Sequence, residues 1–448
     1  MKNSSRRGMR LLSATAIVAA AAVLAGCSAG GAPSSSATPK PNLSRPANEI
    51  HIYALGDAAA AVEQAAADRF NKTSEVKVIV DKGSSAGVDY AANVRSSLGT
   101  STAPDIFMSY GAAGIKPYIS ANALYPLDDF IAQDPKLKSS FLPSVFNEEV
   151  VDGKSYGVPM RGVGPVVLYY NKTVLDQAGL KPPTTYNDLL GQIDKLKSAG
   201  VTPIALGGAD KWPTLMWYEY FYTREVGNAD VSKALAGDSS IWGSDASKKA
   251  LADIRGLVDS GAFGTNYQSV HYANDGSPKL LSSGKAAYEL MGNWNYGTIA
   301  GDDPGFATTN LGWTTFPTVG GSNVDDLAGN LSNYYNVAAD TRYPDTVAKF
   351  LAALYGDDFV KGELAIGNLP PTTSAGSLID STPGLTPSAQ SFLQFQLGII
   401  TKAPSFQLSW DQSVSTASAA PMLNAMTSYF SGDSDEASFI SAMQALKN

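Results

Sequence analysis

The stretch Gly153-Lys154-Ser155-Tyr156-Gly157 fits G-x-S-x-G, the spacing that lifts a serine nucleophile onto a strained turn between a buried strand and a helix. Only His271 could complete a triad in Ser–acid–His order. The surrounding "NEEVVDGKSYGVPM" reads instead as a tight hairpin turning at Asp152-Gly153, which lacks the elbow geometry. Ser282 stands three residues before Lys285, the S-x-x-K spacing of an acyl-transfer serine, but no S-D-N or K-T-G partner accompanies it. Glycoside hydrolysis needs two carboxylates across a scissile bond, and no such pair can be assigned; Asp128-Asp129 and Asp325-Asp326 read as solvated loops. One cysteine, Cys27, and two histidines, His51 and His271, exclude an internal disulfide and a metal site built on Cys or His clusters. No P-loop, EF-hand or GxGxxG is present. The sequence therefore assigns no catalytic residue, no metal ligand and no cofactor.

What remains is the chemistry of binding. The 448 residues hold 21 Tyr, 16 Phe and 6 Trp but are only 17% charged, a composition suited to presenting rings to a neutral, polar ligand. A sugar has an apolar C–H face and a rim of hydroxyls. It calls for an aromatic platform of Trp or Tyr and planar polar side chains, since a buried hydroxyl without a partner costs about 1–3 kcal/mol. Three stretches combine the two. In "MGNWNYG", Asn293 and Trp294 follow a strand-like run. In "LGGADKWPTLMWY", Gly207-Gly208 end a strand, and Asp210, Lys211 and Trp212 lead into a helix, with Trp217 deeper and core-like. In "FQLSWDQSVS", Trp410 and Asp411 precede a helix, where Asp411 could equally be only an N-cap. Further candidates are Gly56 and Asp57 after the first strand, Tyr110 after "PDIFMS", Arg161 in "VPMRGVGP", which could equally reach a hydroxyl or pair an acid where the chain crosses between lobes, and Asn333. Asp105 reads as a brace for its turn. Any single ring is still more often core than contact. With 33 Lys+Arg against 41 Asp+Glu and no basic stripe, nucleic acid is not an expected partner.

The elements that must position these residues are legible in outline. "EIHIYAL", "EVKVIV" and "APDIFMSY" read as strands, separated by the helical "DAAAAVEQAAADRFNK" and "VDYAANVRSSL", with Asp57 as N-cap of the first helix. Strand–helix alternation predicts a parallel α/β sheet. The middle repeats the theme: strands "PVVLYYN", "VTPIALG" and "KAAYELMG", and helices "TYNDLLGQIDKLKSAG", "WPTLMWYEYFYTREVG" and "DASKKALADIRGLVDSG". Helices are expected at about 344–366, 386–399, 415–430 and 435–446. No long linker divides residues 48–448, so two lobes would have to share crossing strands.

The N-terminus carries a separate signal. "MKNSSRRGMR" is basic and free of acid, and "LLSATAIVAAAAVLAG" is apolar but short for a bilayer span. Leu24-Ala25-Gly26-Cys27 resembles a bacterial lipobox. The resemblance implies a signal peptide at 1–26, removed on export by a Sec or Tat route, and a lipidated Cys27 that anchors the chain to the outer face of the cell membrane. The Ser/Pro/Gly/Ala-rich run at 27–47 reads as a flexible tether.

Three blocks carry a further resemblance: "PDIFMSYGAAGIKPYISANALYPLDDF", "LYYNKTVLDQAGLKPPTTYNDLLGQIDKLKSAGVTPIALGG" and "GKAAYELMGNWNYG". In this order, behind a lipobox, they resemble the extracellular solute-binding proteins of ABC sugar importers, the family of maltose-binding protein. The resemblance implies a two-lobe α/β clamp, with lobe one at 48–158 plus 308–345 and lobe two at 159–307 plus 346–448. It implies a neutral oligosaccharide held in the cleft between them and stacked on Trp294. It also implies a monomer that delivers its cargo to the transmembrane subunits of an ABC permease. The family's Glu and Tyr in the 207–212 loop are absent here, which leaves the sugar open. The alternatives are a secreted carbohydrate-active hydrolase and a binding protein for a non-sugar solute such as peptide.

Overall fold

The computed structural model describes Asn42 and residues 44–84, 87–273, 275–320 and 323–447. The expected signal peptide, Cys27 and most of the expected tether lie outside the described residues. The strands are β1 Glu49–Ala54, β2 Lys77–Lys82, β3 Ile106–Ser109, β4 Val150–Val151, β5 Lys154–Ser155, β6 Gly157–Pro159, β7 Gly164–Asn171, β8 Thr202–Ala205, β9 Ala286–Gly292, β10 Leu311–Thr314, β11 Leu327–Asn330, β12 Tyr334–Val337 and β13 Phe406–Leu408.

The first sheet has the order β2-β1-β3-β12-β6. β1 pairs in parallel with both β2 and β3, and β12 closes the sheet antiparallel to β3 and β6. Strand β1 alternates: Ile50, Ile52 and Ala54 are buried while Glu49, His51 and Tyr53 are half-exposed, the pattern of a strand with one face on a core. The second sheet has the order β13-β11-β7-β9-β8, with β10 also pairing β7. Strand β9 is buried along its whole length, as a central strand covered on both faces must be. The helix Tyr186–Ser198 starts at a reciprocal Thr185–Asp188 capping box, and its Leu189, Ile193 and Leu196 enter the second core. Residues 213–224 of the helix Trp212–Glu225 are all buried. Strands β4 and β5 form the hairpin expected around Ser155, with Asp152 and Gly153 both at positive φ.

The lobe boundaries differ from expectation. β10 and β11, expected in lobe one, pair with β7 of the second sheet. Only β12 of that stretch returns to the first. Conversely, Val347, Phe350, Leu351 and Phe359, expected in lobe two, pack into the core of the first sheet, which buries one side of the helix Pro344–Leu351 and the start of the helix Asp357–Ala365. The chain therefore crosses between sheets at 160–163, at 331–333 and after Ala365. The crossings are bonded to one another: Met160 N donates to Asn333 O (2.9 Å), Val163 N to Leu369 O (2.9 Å) and Ser332 Oγ to Arg161 O (2.7 Å).

The tether also ends earlier than expected. Arg45 is 4% exposed. It donates to Ala103 O (2.8 Å), Asp105 Oδ1 (2.8 Å) and Asp340 Oδ1 (2.8 Å), so residues around it are strapped to the first lobe. Asp105 is thereby a brace.

Candidate ligand cleft

Loops at the carboxyl ends of β1, β3, β8, β9 and β13 carry most of the candidate residues, the place where open α/β sheets hold ligands. An aromatic corner stands at the ends of β8 and β9. The Trp212 ring lies 6.3 Å from that of Trp294 at 55° and 5.2 Å from that of Tyr272 at 65°. All three rings are partly exposed. The Trp294 ring folds back over the backbone of Gly292, where a Cβ would lie 2.1 Å from the ring; any larger residue there would lift the indole off the strand end. Gly207 gives similar room, since a Cβ would meet Tyr272 N at 2.9 Å.

Asp210 holds the corner together. One carboxylate oxygen accepts from Tyr272 N (2.7 Å) and the other contacts His271 Nδ1 (2.6 Å). Both oxygens are thus engaged inside the protein, which makes Asp210 a positioning residue for Tyr272 and corrects its expected role. Tyr272 Oη lies 3.1 Å from Thr298 Oγ1. Burial raises its phenol pKa, and the charges of Glu289 and Asp57 act in the same direction. Lys211, at φ +64°, turns the chain into the helix Trp212–Glu225 and sends Nζ to Asn424 Oδ1 (2.7 Å).

Three further candidates serve the fold. Trp410 is wholly buried, packed on Tyr222 (5.2 Å) and Trp242 (5.4 Å). It leaves no face for a sugar, which corrects the stacking expected of it. Asn293 is buried, and its amide nitrogen donates to Val163 O (2.9 Å) and Gln396 Oε1 (2.6 Å); it ties β9 to the first crossing. Arg161 is buried on that crossing and pairs with Asp57 and, at 2.9 Å, with Glu63; of its two expected roles, reach to a hydroxyl or pairing an acid at the hinge, the structure has the second. Asp57 does not cap the helix Ala60–Phe70, whose N-cap is Ala59; its Oδ1 accepts from Ala59 N instead.

The first lobe supplies further candidates. Gly56 and Asp57 follow β1, and the Asp57 side chain is 36% exposed beside the Arg161 guanidinium. Tyr110 follows β3 and is partly buried. Burial pushes its phenol up to about 12; the charges of Asp411 and Asp57 push the same way and that of Arg161 opposes. Asn333, at the second crossing, turns its amide to Met108 Sδ (3.3 Å). Burial raises Glu63 to about 6 and Glu363 to about 8, although the Arg161 charge lowers both. Sequence reasoning missed Tyr272 and Glu63. Ser155 is buried in its hairpin beside the first sheet while His271 is bonded to Asp210, so the two do not form a triad.

The model of the family described as bacterial extracellular solute-binding protein matches residues 54–361. An uncharacterized ABC transporter extracellular-binding protein of Pyrococcus horikoshii is 29% identical over 282 residues, 61% of this chain and 62% of that one. The multiple sugar-binding protein of Streptococcus mutans is 27% identical over 210 residues, 46% of this chain and 48% of that one. The matched stretches thus span less than two thirds of either relative. A structure from work on xylan utilization by the thermophilic bacterium Caldanaerobius polysaccharolyticus superposes with a TM-score of 0.78 at 24% identity, covering 88% of this chain and 99% of that one. That likeness carries the two-lobe fold. With the family match spanning well over half of its residues, the chain belongs to the bacterial extracellular solute-binding proteins.

Proposed function

We propose that the chain is the substrate-binding protein of an ABC importer and captures a neutral oligosaccharide between its lobes. The observation that carries the reading is the corner of Trp212, Tyr272 and Trp294, set at strand ends. Rings at inclined angles offer C–H-stacking surfaces to successive sugar units. The names of relatives support it: one is a multiple sugar-binding protein, and one neighbour comes from work on xylan. Lobe one would comprise residues 44–159 and 334–365, and lobe two 164–330 and 387–447. A ligand touching both walls favours the closed arrangement by its differential affinity; micromolar binding releases about 8 kcal/mol, part of which closes the lobes.

Cys27 would carry the lipid that holds the protein, as a monomer, on the outer face of the membrane, within reach of its permease. The role is capture without turnover. Calorimetric titration of residues 28–448 against xylo-, gluco-, galacto- and chito-oligosaccharides tests it. Saturable binding of one series with no product supports the reading; absence of binding across the panel, or release of product, overturns it.

A further inference from the structure

The buried Glu289 of β9 meets both segments that carry rings of the aromatic corner. On one side its Oε2 accepts from Asn295 Nδ2 (2.8 Å). That bond joins residues six apart and spans the turn Gly292-Asn293-Trp294, where the Trp294 ring folds back over Gly292. Tyr169, the β7 register partner of Glu289, shares its hydroxyl proton between Gly292 O and Asn293 O of the same turn, each at 3.2 Å. On the other side is Ser277, whose hydroxyl lies close enough to favour the charged form of Glu289. Ser277 N donates to His271 O (2.9 Å), the carbonyl just before Tyr272. Gly276 fits so tightly against that carbonyl that a Cβ there would overlap it. The start of the helix Ser277–Ser282 and the Tyr272 loop are thus tied together.

Three atoms around this acid are left over. Glu289 Oε1, Asn295 Oδ1 and Ser277 Oγ are buried without a hydrogen-bond partner, and such atoms are costly. An ionised Glu289 is an acceptor only, and so is the amide oxygen of Asn295. A proton on the carboxyl supplies the donor that this set lacks. Burial favours that proton and pushes Glu289 up to about 7, against the hydrogen bonds of Ser277 and Asn295. The phenols of Tyr169 and Tyr272 both feel its charge, and Tyr272 also feels Asp57 and Asp302. On β8 its register partner is the neutral Ala205. Burial keeps both phenols neutral, so near neutral pH it is the carboxyl, and not the phenols, that changes charge.

We propose that Glu289 is a positioning residue whose protonated form holds Trp294 and Tyr272 in the geometry of the aromatic corner, so that neutral-sugar binding weakens when Glu289 ionises. It touches no ligand and acts through Asn295 on the Trp294 turn and through Ser277 on the Tyr272 loop. The consequence for sugar rests on the sugar-receptor reading; the hold on the rings does not.

The test compares the unmodified chain with Glu289→Gln, which keeps the shape of the protonated acid at every pH, and with Glu219→Gln. Glu219, on the helix that begins at Trp212, is also pushed up to about 7 by burial and serves as the control. Acrylamide quenching of tryptophan fluorescence, without ligand and between pH 6 and pH 8.5, reads the corner, with Trp294→Phe identifying its share of the signal. Calorimetry at the two pH values reads affinity for neutral trisaccharides of the xylo-, gluco-, galacto- and chito-series. In the unmodified chain, Trp294 quenching should rise with pH and the affinity of the trisaccharide that binds should fall by about fivefold or more. Both changes should vanish in Glu289→Gln and persist in Glu219→Gln. If Glu289→Gln does not fold, Ser277→Ala decides: without the hydroxyl that favours the charged form, the midpoint of the quenching profile should move to higher pH, and an unmoved midpoint overturns the proposal. A flat quenching profile in the unmodified chain, an unchanged profile in Glu289→Gln, or one abolished by Glu219→Gln instead overturns it too. No binding of any trisaccharide overturns the sugar-receptor reading and the consequence for sugar, while quenching still decides the hold on the rings.

Discussion

Asn295 Nδ2 donates to Glu289 Oε2 at 2.8 Å, while the second carboxyl oxygen, Glu289 Oε1, and the amide oxygen, Asn295 Oδ1, are buried with no partner. Asn336 and Glu149 repeat the arrangement in the first lobe at 2.7 Å. A protonated carboxyl beside a carboxamide can donate as well as accept, so each pair is better satisfied as acid and amide than as carboxylate and amide.

Burial accordingly pushes Glu289 up to about 7, from an ordinary value near 4.5. Between those pH values the folded protein binds more protons than the unfolded chain, so this group's contribution to stability falls as pH rises through the window. Glu289→Gln, isosteric and neutral at every pH, should match the unmodified chain at pH 5 and exceed it by roughly 1–3 kcal/mol at pH 8, at about 1.4 kcal/mol per unit. Urea unfolding at the two pH values is the check; an unchanged pH slope would exclude an ionising Glu289.

Trp294→Ala removes one wall of the aromatic corner while leaving the core intact, because its ring is partly exposed. Sugar affinity should fall by at least tenfold with little change in unfolding midpoint. Affinity within threefold of the unmodified chain would place the ligand elsewhere.

Trp410→Ala is expected to act differently. The ring is fully buried against Tyr222 and Trp242, and emptying such a site costs about 3–5 kcal/mol. Denaturant titration should show that loss; a variant that lost sugar affinity at full stability would return Trp410 to the cleft.

Arg45→Ala strands Asp105, which is 0% exposed, without its charged partner. Breaking a buried pair from one side costs about 3–5 kcal/mol. The segment near residue 45 should also become open to protease under native conditions. Resistance equal to that of the unmodified chain would mean the strap holds without the arginine.

Cys27→Ser should move the protein from the membrane fraction to the soluble one on expression in a lipoprotein-exporting bacterium. Retention on membranes would sink the proposed anchor.

Much of the fold was legible because it is local. The Thr185 capping box, the Asp152-Gly153 hairpin and the alternation of β1 are written in adjacent residues, and Trp212 and Trp294 stood out because Gly-rich turns mark the strand ends that precede them. What was illegible depends on distant partners. The motif around Trp410 reads as a loop aromatic, yet Tyr222 and Trp242, far away in sequence, bury it. Tyr272 sits in an irregular loop with no periodicity, and only Asp210, from another loop, brings it to the corner. Nothing local distinguishes a strand that pairs β7 from one that pairs β3, so the sequence groups β10 and β11 with the first sheet where the structure pairs them with β7. Asn293 and Arg161 were found as polar residues in the right places, but polarity alone does not say whether a group faces a ligand or another part of the chain.

The three crossings between the sheets are bonded side by side, Met160 to Asn333, Val163 to Leu369 and Ser332 to Arg161. Three separate ribbons would let the lobes slide, twist and bend. Laced together, they resist the first two, since either would shear hydrogen bonds that bending leaves in place. Relative motion of the lobes would then favour rotation about an axis through residues 160–163, 331–333 and 369. A ligand has one angle to change rather than several, and substitutions along that axis would alter how far the jaws open without touching the surfaces that grip.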